Sequence, residues 1–137
     1  MKEPIWIDLA DCLAFHEEML SRFGGLSGIR DERLLDSALA RPQQLFAYGK
    51  PDRFELAAAY ASGIIRNHPF LDGNKRAGFM AAALFLEIND CRFTAPEEAV
   101  AIQTRDLAAG SVTEADYALW LKDSCERRRK PPKKTGA

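Results

Sequence analysis

Residues 68–88 read HPFLDGNKRAGFMAAALFLEI, and this stretch decides the fold class. From Ala77 to Leu86 every residue is apolar or glycine, so a helix running from about Lys75 to Ile88 has no polar face. Such a helix is stable in water only when other helices surround it, which makes it the expected buried centre of the molecule. Just before it, Pro69 and the Asp72-Gly73 pair require a loop.

Outward from this centre, apolar residues recur at helical spacing and strict alternation is almost absent. A first helix is expected from Asp8 as N-cap, with Ile7 placed to staple against the next turn. Leu9, Cys12, Leu13, His16, Met19, Leu20 and Phe23 share one side of it, and Gly24 and Gly25 stop it. Asp31 caps a second, short helix through Leu39. Pro42 should end that helix near Arg41, because the residue before a proline avoids helical geometry. Asp52 and Glu55 form a capping box for a third helix, which passes Leu56, Tyr60 and Ile64 and delivers His68 at its end. After the apolar helix, two more are expected, about Pro96 to Ala109 and about Glu114 to Glu126, the last capped by Thr113. Cys91 to Phe93 forms a short extended piece. The reading is all-α: a compact single-domain bundle of about six helices, residues 1–126, followed by a basic tail, residues 127–137.

The chain has 137 residues, 47% hydrophobic and 28% charged, which is enough apolar surface for one real core. Its three cysteines, Cys12, Cys91 and Cys125, are far apart in the sequence and in no metal-binding spacing, so neither a disulfide framework nor a zinc site is expected. The N-terminal residues lack the continuous apolar run of a signal peptide, and no stretch is long enough to span a bilayer, so a cytoplasmic location is expected. The net charge of −1 conceals an asymmetry, because Arg127, Arg128, Arg129, Lys130, Lys133 and Lys134 crowd the tail and leave an acidic body. A solvated, disordered end is the plain reading of that tail, and weak contact with nucleic acid or a partner is the other. The acidic body argues against direct DNA binding.

The candidate chemistry lies in His68 to Arg76. Lys75 and Arg76 fall in the first turn of a helix, where the macrodipole disfavours each cation by roughly 0.3–1 kcal/mol unless an anion is also present. The turn at Gly73 and Asn74 leaves backbone N–H groups pointing outward together, a natural phosphate cradle. Asp72 adds one carboxylate beside it, and magnesium typically binds through one or two carboxylates plus substrate phosphates. His68, with an ordinary pKa near about 6.5, is a candidate general base for orienting a hydroxyl nucleophile. Singly, each residue has a plainer reading: a helix-end histidine, a common turn, a solvent-facing Lys-Arg pair. In combination they read as a nucleotide-phosphate site. Cys12 and His16, four apart, suggest either a thiol–imidazole pair or core packing, and their apolar helix face favours packing. Neither a P-loop nor a protein-kinase motif set is present.

HPFLDGNKR closely resembles the active-site loop of the Fic/Doc family, H-x-F-x-[DN]-[AG]-N-[GK]-R. GGLSGIRDERLLDSALARP at residues 24–42, the Glu55 to Tyr60 helix and FLEIND at residues 85–90 are also similar to its death-on-curing branch. The resemblance implies that His68 is the catalytic base, Asp72 the magnesium-associated carboxylate, and Gly73, Asn74, Lys75 and Arg76 the phosphate-binding group, with ATP and Mg²⁺ bound there. Gly73 contributes its backbone, and Phe70 anchors the loop in the core. AMP-transferring members read H-P-F-x-x-G-N-G-R-x-x-R, whereas here Lys75 replaces the second glycine and Phe79 the second arginine. Lys75 is the death-on-curing form, which implies transfer of the γ-phosphoryl group of ATP to a hydroxyl, the family's target being elongation factor Tu. The resemblance further implies a toxin whose separate antitoxin folds a disordered segment as a helix onto it. Pro69 and Gly73 match the AMP-transferring pattern and keep nucleotidylation as an alternative, and a catalytically weak partner-binding module is a third. A self-inhibitory [ST]-x-x-x-E-[GN] helix has its nearest match at Thr94 to Glu98, followed by Ala99. It lies after the motif helix, so inhibition is expected from outside the chain.

Overall fold

A computed structural model describes residues 2–127 as six helices and one small two-stranded sheet. The helices are α1 (Leu9–Phe23), α2 (Glu32–Tyr48), α3 (Arg53–Asn67), α4 (Asn74–Ile88), α5 (Glu97–Ala109) and α6 (Glu114–Asp123). Strands β1 (Cys91–Phe93) and β2 (Cys125–Arg127) pair antiparallel, with Arg92 opposite Glu126. The expected helical bundle is therefore present, and the caps explain where its helices start. The side chains of Asp8, Asp31, Asp52 and Thr113 each accept first-turn N–H groups, and Asp8 and Asp52 do so within reciprocal capping boxes.

The structure corrects three expectations. First, α2 does not stop near Arg41 but runs through Pro42 to Tyr48. A mid-helix proline costs roughly 3 kcal/mol through the missing N–H and the ring clash. Here the proline ring is itself buried, and continuing the helix lays Leu45 and Phe46 on the core, with Phe46 edge-on to Trp6 at 5.6 Å. Burying such side chains contributes about 1.5–3 kcal/mol each, which offsets the broken turn.

Second, the central helix is α3 rather than the apolar α4. Residues Leu56 to Ile65 are all buried, and α3 packs against α2, α4, α5 and α6. Small side chains make this possible. A Cβ on Gly63 would stand 3.3 Å from Ala38 of α2, and one on Gly78 of α4 would stand 2.9 Å from the Ala61 carbonyl oxygen. Helices therefore close in on α3 from two sides at backbone distance. In α4, Phe79, Met80 and Leu84 remain only partly covered.

Third, α6 ends at Asp123, and the residues after it form β2 instead of a last helical turn. Thr94 donates to the Ser124 carbonyl oxygen at 2.9 Å, joining the two strands at one end. The ladder also brings Cys91 and Cys125 to one face, where burial, with the Cys91 thiol nearby, pushes the Cys125 thiol up to about 12. The rest of the basic tail, from Arg128, lies outside the described residues. No helix among the described residues is long and apolar enough to cross a membrane.

Candidate active site

The end of α3, the loop 68–73 and the start of α4 form one wall of a cavity of about 870 Å³. Phe79, Met80, Phe93, Val100 and Ala101 line its apolar side, and His68, Asp72, Lys75 and Arg76 line its polar side. The volume and mixed lining suit a nucleotide-sized ligand. All six residues singled out in the sequence, His68, Asp72, Gly73, Asn74, Lys75 and Arg76, border this one space.

His68 caps α3 in the left-handed conformation, φ 53° and ψ 51°. For a residue with a Cβ this costs about 1–2 kcal/mol, and glycine is the usual occupant. The ring is exposed, and its Nδ1 lies 3.5 Å from the Ile65 carbonyl oxygen. With a proton on Nδ1, Nε2 is left as the basic nitrogen.

The loop is held from three sides. Asn74 is buried, and its side chain accepts from the Phe70 N–H at 2.9 Å and donates to the Phe70 carbonyl at 3.0 Å. The amide of Asn74 is thus spent on the loop, and what this residue offers an anion is its backbone N–H. Ile29 and Phe70 form a β-bridge, with the Leu71 N–H donating to the Gly28 carbonyl at 3.1 Å. From α1, His16 is buried flat against Phe70, and its Nε2 lies 2.9 Å from the Asp72 carbonyl oxygen. Core packing is therefore the outcome for Cys12 and His16. Burial, reinforced by Asp11 and Asp8, pushes the Cys12 thiol up to about 12, so no thiolate is available for a thiol–imidazole pair.

Gly73 adopts φ +75°, and a Cβ there would run into the Met19 methyl. It begins α4 without any side-chain cap, and the first turn of the helix contains no acidic residue. The N–H groups of Asn74, Lys75 and Arg76 therefore have no helical acceptor, while Lys75 and Arg76 add two cations to an already positive helix end. The Arg76 guanidinium lies 3.9 Å from the centre of the Phe23 ring, which fixes it at the cavity edge. This arrangement can hold a polyphosphate.

Asp72 is exposed, and its carboxylate accepts from the Leu26 N–H at 3.1 Å and from the Gly73 N–H at 2.8 Å. Each oxygen keeps a second lone pair. Among the described residues no group of three His, Cys, Asp or Glu side chains converges on a metal site. A lone carboxylate beside a phosphate cradle is nevertheless a donor set that suits Mg²⁺, which completes its shell with phosphate oxygens and water.

Sequence reasoning missed some supports of this site. His16 was visible only as a polar residue on an apolar helix face, and Phe23 as an aromatic at a helix end. Asp31 is the α2 N-cap, and Arg30 grips the far side of the loop, outside the cavity lining. Glu97, at the start of α5, lines the cavity as well, whereas Glu98 of the supposed inhibitory match does not.

Residues 6–86 match the Fic/DOC family. Over 105 residues, 75% of this chain and 79% of the relative, the sequence is 36% identical to protein kinase doc of Escherichia phage P1. Over 76 residues, 53% of this chain and 58% of the relative, it is 45% identical to toxin Doc of Mycolicibacterium smegmatis.

Proposed function

Because the chain belongs to the Fic/DOC family, we propose that it is a Doc-type toxin kinase, transferring the γ-phosphoryl group of ATP to a hydroxyl of elongation factor Tu. The observation that carries this reading is the uncapped first turn of α4. Three N–H groups without a helical acceptor, Lys75 and Arg76 gather in a turn that holds no acidic residue of its own, beside an exposed histidine. A relative named a protein kinase and another named a toxin support the same assignment.

In this reading the triphosphate lies along the α4 N-terminus, and its base sits against Phe79, Met80 and Phe93. His68 Nε2 accepts the proton of the target hydroxyl as that oxygen bonds to the γ-phosphorus. The bond from the γ-phosphorus to the bridging oxygen breaks, and ADP leaves with the electron pair. Lys75, Arg76 and the N–H groups stabilise the charge gathering on the phosphoryl oxygens, which is most of what such a transfer requires. Asp72 would hold Mg²⁺, whose charge offsets that of the β- and γ-phosphates.

The resemblance of Gly73 to AMP-transferring relatives has a local explanation, because its φ and the Met19 methyl require glycine there. Gly73 therefore does not speak for AMP transfer, and Pro69, whose carbonyl accepts the Arg30 and Asp31 N–H groups as any residue's would, is what keeps that alternative. Control belongs to a cognate antitoxin, a disordered segment that folds as a helix onto this chain, in the cytoplasm.

The test is incubation with elongation factor Tu, ATP and magnesium, followed by the intact mass of the target, with His68→Ala as control. A gain of one phosphoryl group that needs His68 is expected. A gain of AMP would assign the nucleotidylating reaction, and no gain would point to another target or a binding module.

A further inference from the structure

We infer that Arg30 is the positioning residue of this site: it holds His68 in its left-handed backbone conformation and so aims the imidazole without touching nucleotide or target. The inference rests on the kinase reading for what His68 does, but on geometry alone for what Arg30 does.

A helix ends with carbonyl groups that have no partner and with the negative pole of its dipole. At the end of α3 these are met by one residue. Arg30 Nη2 donates to the Asn67 carbonyl at 2.9 Å and Nε donates to the His68 carbonyl at 2.7 Å. The Arg30 backbone N–H donates to the Pro69 carbonyl at 2.6 Å, and the Asp31 N–H joins it at 3.0 Å. Three consecutive carbonyls, one of them belonging to His68, are thus bound to two adjacent residues. Those residues are anchored in turn, because the Asp31 side chain caps α2 and the Asn67 amide donates to the Leu34 carbonyl at 2.9 Å.

The His68 ring has little else to hold it. It is exposed, and the Ile65 carbonyl oxygen at 3.5 Å is at the outer limit of a hydrogen bond. The Cα–Cβ direction from which the imidazole reaches the site therefore follows from the backbone at residue 68, which a non-glycine residue keeps at φ 53° only under constraint. The guanidinium supplies that constraint by forking onto two adjacent carbonyls. A lysine carries the same charge but has no planar fork.

Selectively labelled histidine in the full chain gives the ¹³Cα and ¹³Cβ shifts of His68 in wild type, Arg30→Lys and Arg30→Ala, alongside kcat and KM for ATP. Arg30→Ala is expected to lose the left-handed shift pattern and to lower kcat about 10- to 100-fold. KM for ATP should stay within about twofold, because the phosphate cradle is untouched. Arg30→Lys should fall between the two in both readouts, and it decides the matter if Arg30→Ala does not fold. Left-handed shifts that persist in both variants would overturn the inference, and so would kcat and ATP binding that fall in parallel with folded fraction. A wild type that transfers no phosphoryl group would sink the kinase reading, while the shifts would still decide whether Arg30 holds His68.

Discussion

The His16 ring stacks on Phe70 with centroids 3.8 Å apart and planes 11° from parallel. Through this pair α1, which contributes no reacting group, supports the loop that carries His68 and Asp72. His16→Ala removes both the stack and the bond to the Asp72 carbonyl, and should lower stability by about 2–4 kcal/mol. His16→Phe keeps the stack and should lose less. Equal losses in urea unfolding would show that the stack contributes nothing.

Asn74 separates two roles by a simple comparison. Its amide satisfies both the N–H and the carbonyl of buried Phe70, so Asn74→Ala should destabilise the nucleotide-free protein by about 2–4 kcal/mol. A variant as stable as wild type that binds ATP more weakly would instead assign the side chain to phosphate.

Gly73→Ala meets two obstacles, a positive φ and the Met19 methyl. A loss of about 2–3 kcal/mol is expected. Adding Met19→Ala should remove the collision but not the backbone strain, so the double variant should be less stable than Met19→Ala alone by less than Gly73→Ala costs in wild type. An unaltered melting temperature in Gly73→Ala would contradict this account.

Under the proposed function, Lys75 sets the reaction type. If it selects γ-phosphoryl transfer, Lys75→Gly should lose that product and gain AMP transfer, read from the intact mass of the target. The same product from both proteins would remove Lys75 as the determinant.

Stability should fall at alkaline pH. Burial, with some help from neighbouring groups, raises the Cys12 and Cys125 thiols from 9.0 to about 12 and the Tyr117 hydroxyl from 10.0 to about 12, and it raises Tyr60 as well. The folded state therefore keeps protons that the unfolded chain gives up, so their contribution is complete below pH 9 and is lost as the pH climbs toward 12. Urea midpoints measured between pH 8 and 11 should drop from about pH 9 upward. A flat profile across that range would mean these groups reach water without unfolding.

The sequence by itself determined what depends on near neighbours in the chain. Asp8, Asp31, Asp52 and Thr113 announced helix starts because a cap acts on N–H groups two or three residues away. His68 to Arg76 was legible as a candidate site for the same reason: the proposed base, the carboxylate, the turn and the proposed cradle are contiguous. What the tertiary structure decided came from groups far apart in the sequence. Pro42 stays inside α2 because Phe46 and Leu45 have a core to reach. Residues 125–127 leave the helical pattern because β1, more than thirty positions earlier, offers them backbone partners. The small residues of α3 count for more than the apolar run of α4, because small side chains let neighbouring helices approach on several sides. Likewise, Arg30, His16, Met19 and Phe23 carry no motif of their own, and each acquires its part only when folding sets it against residues 68–76.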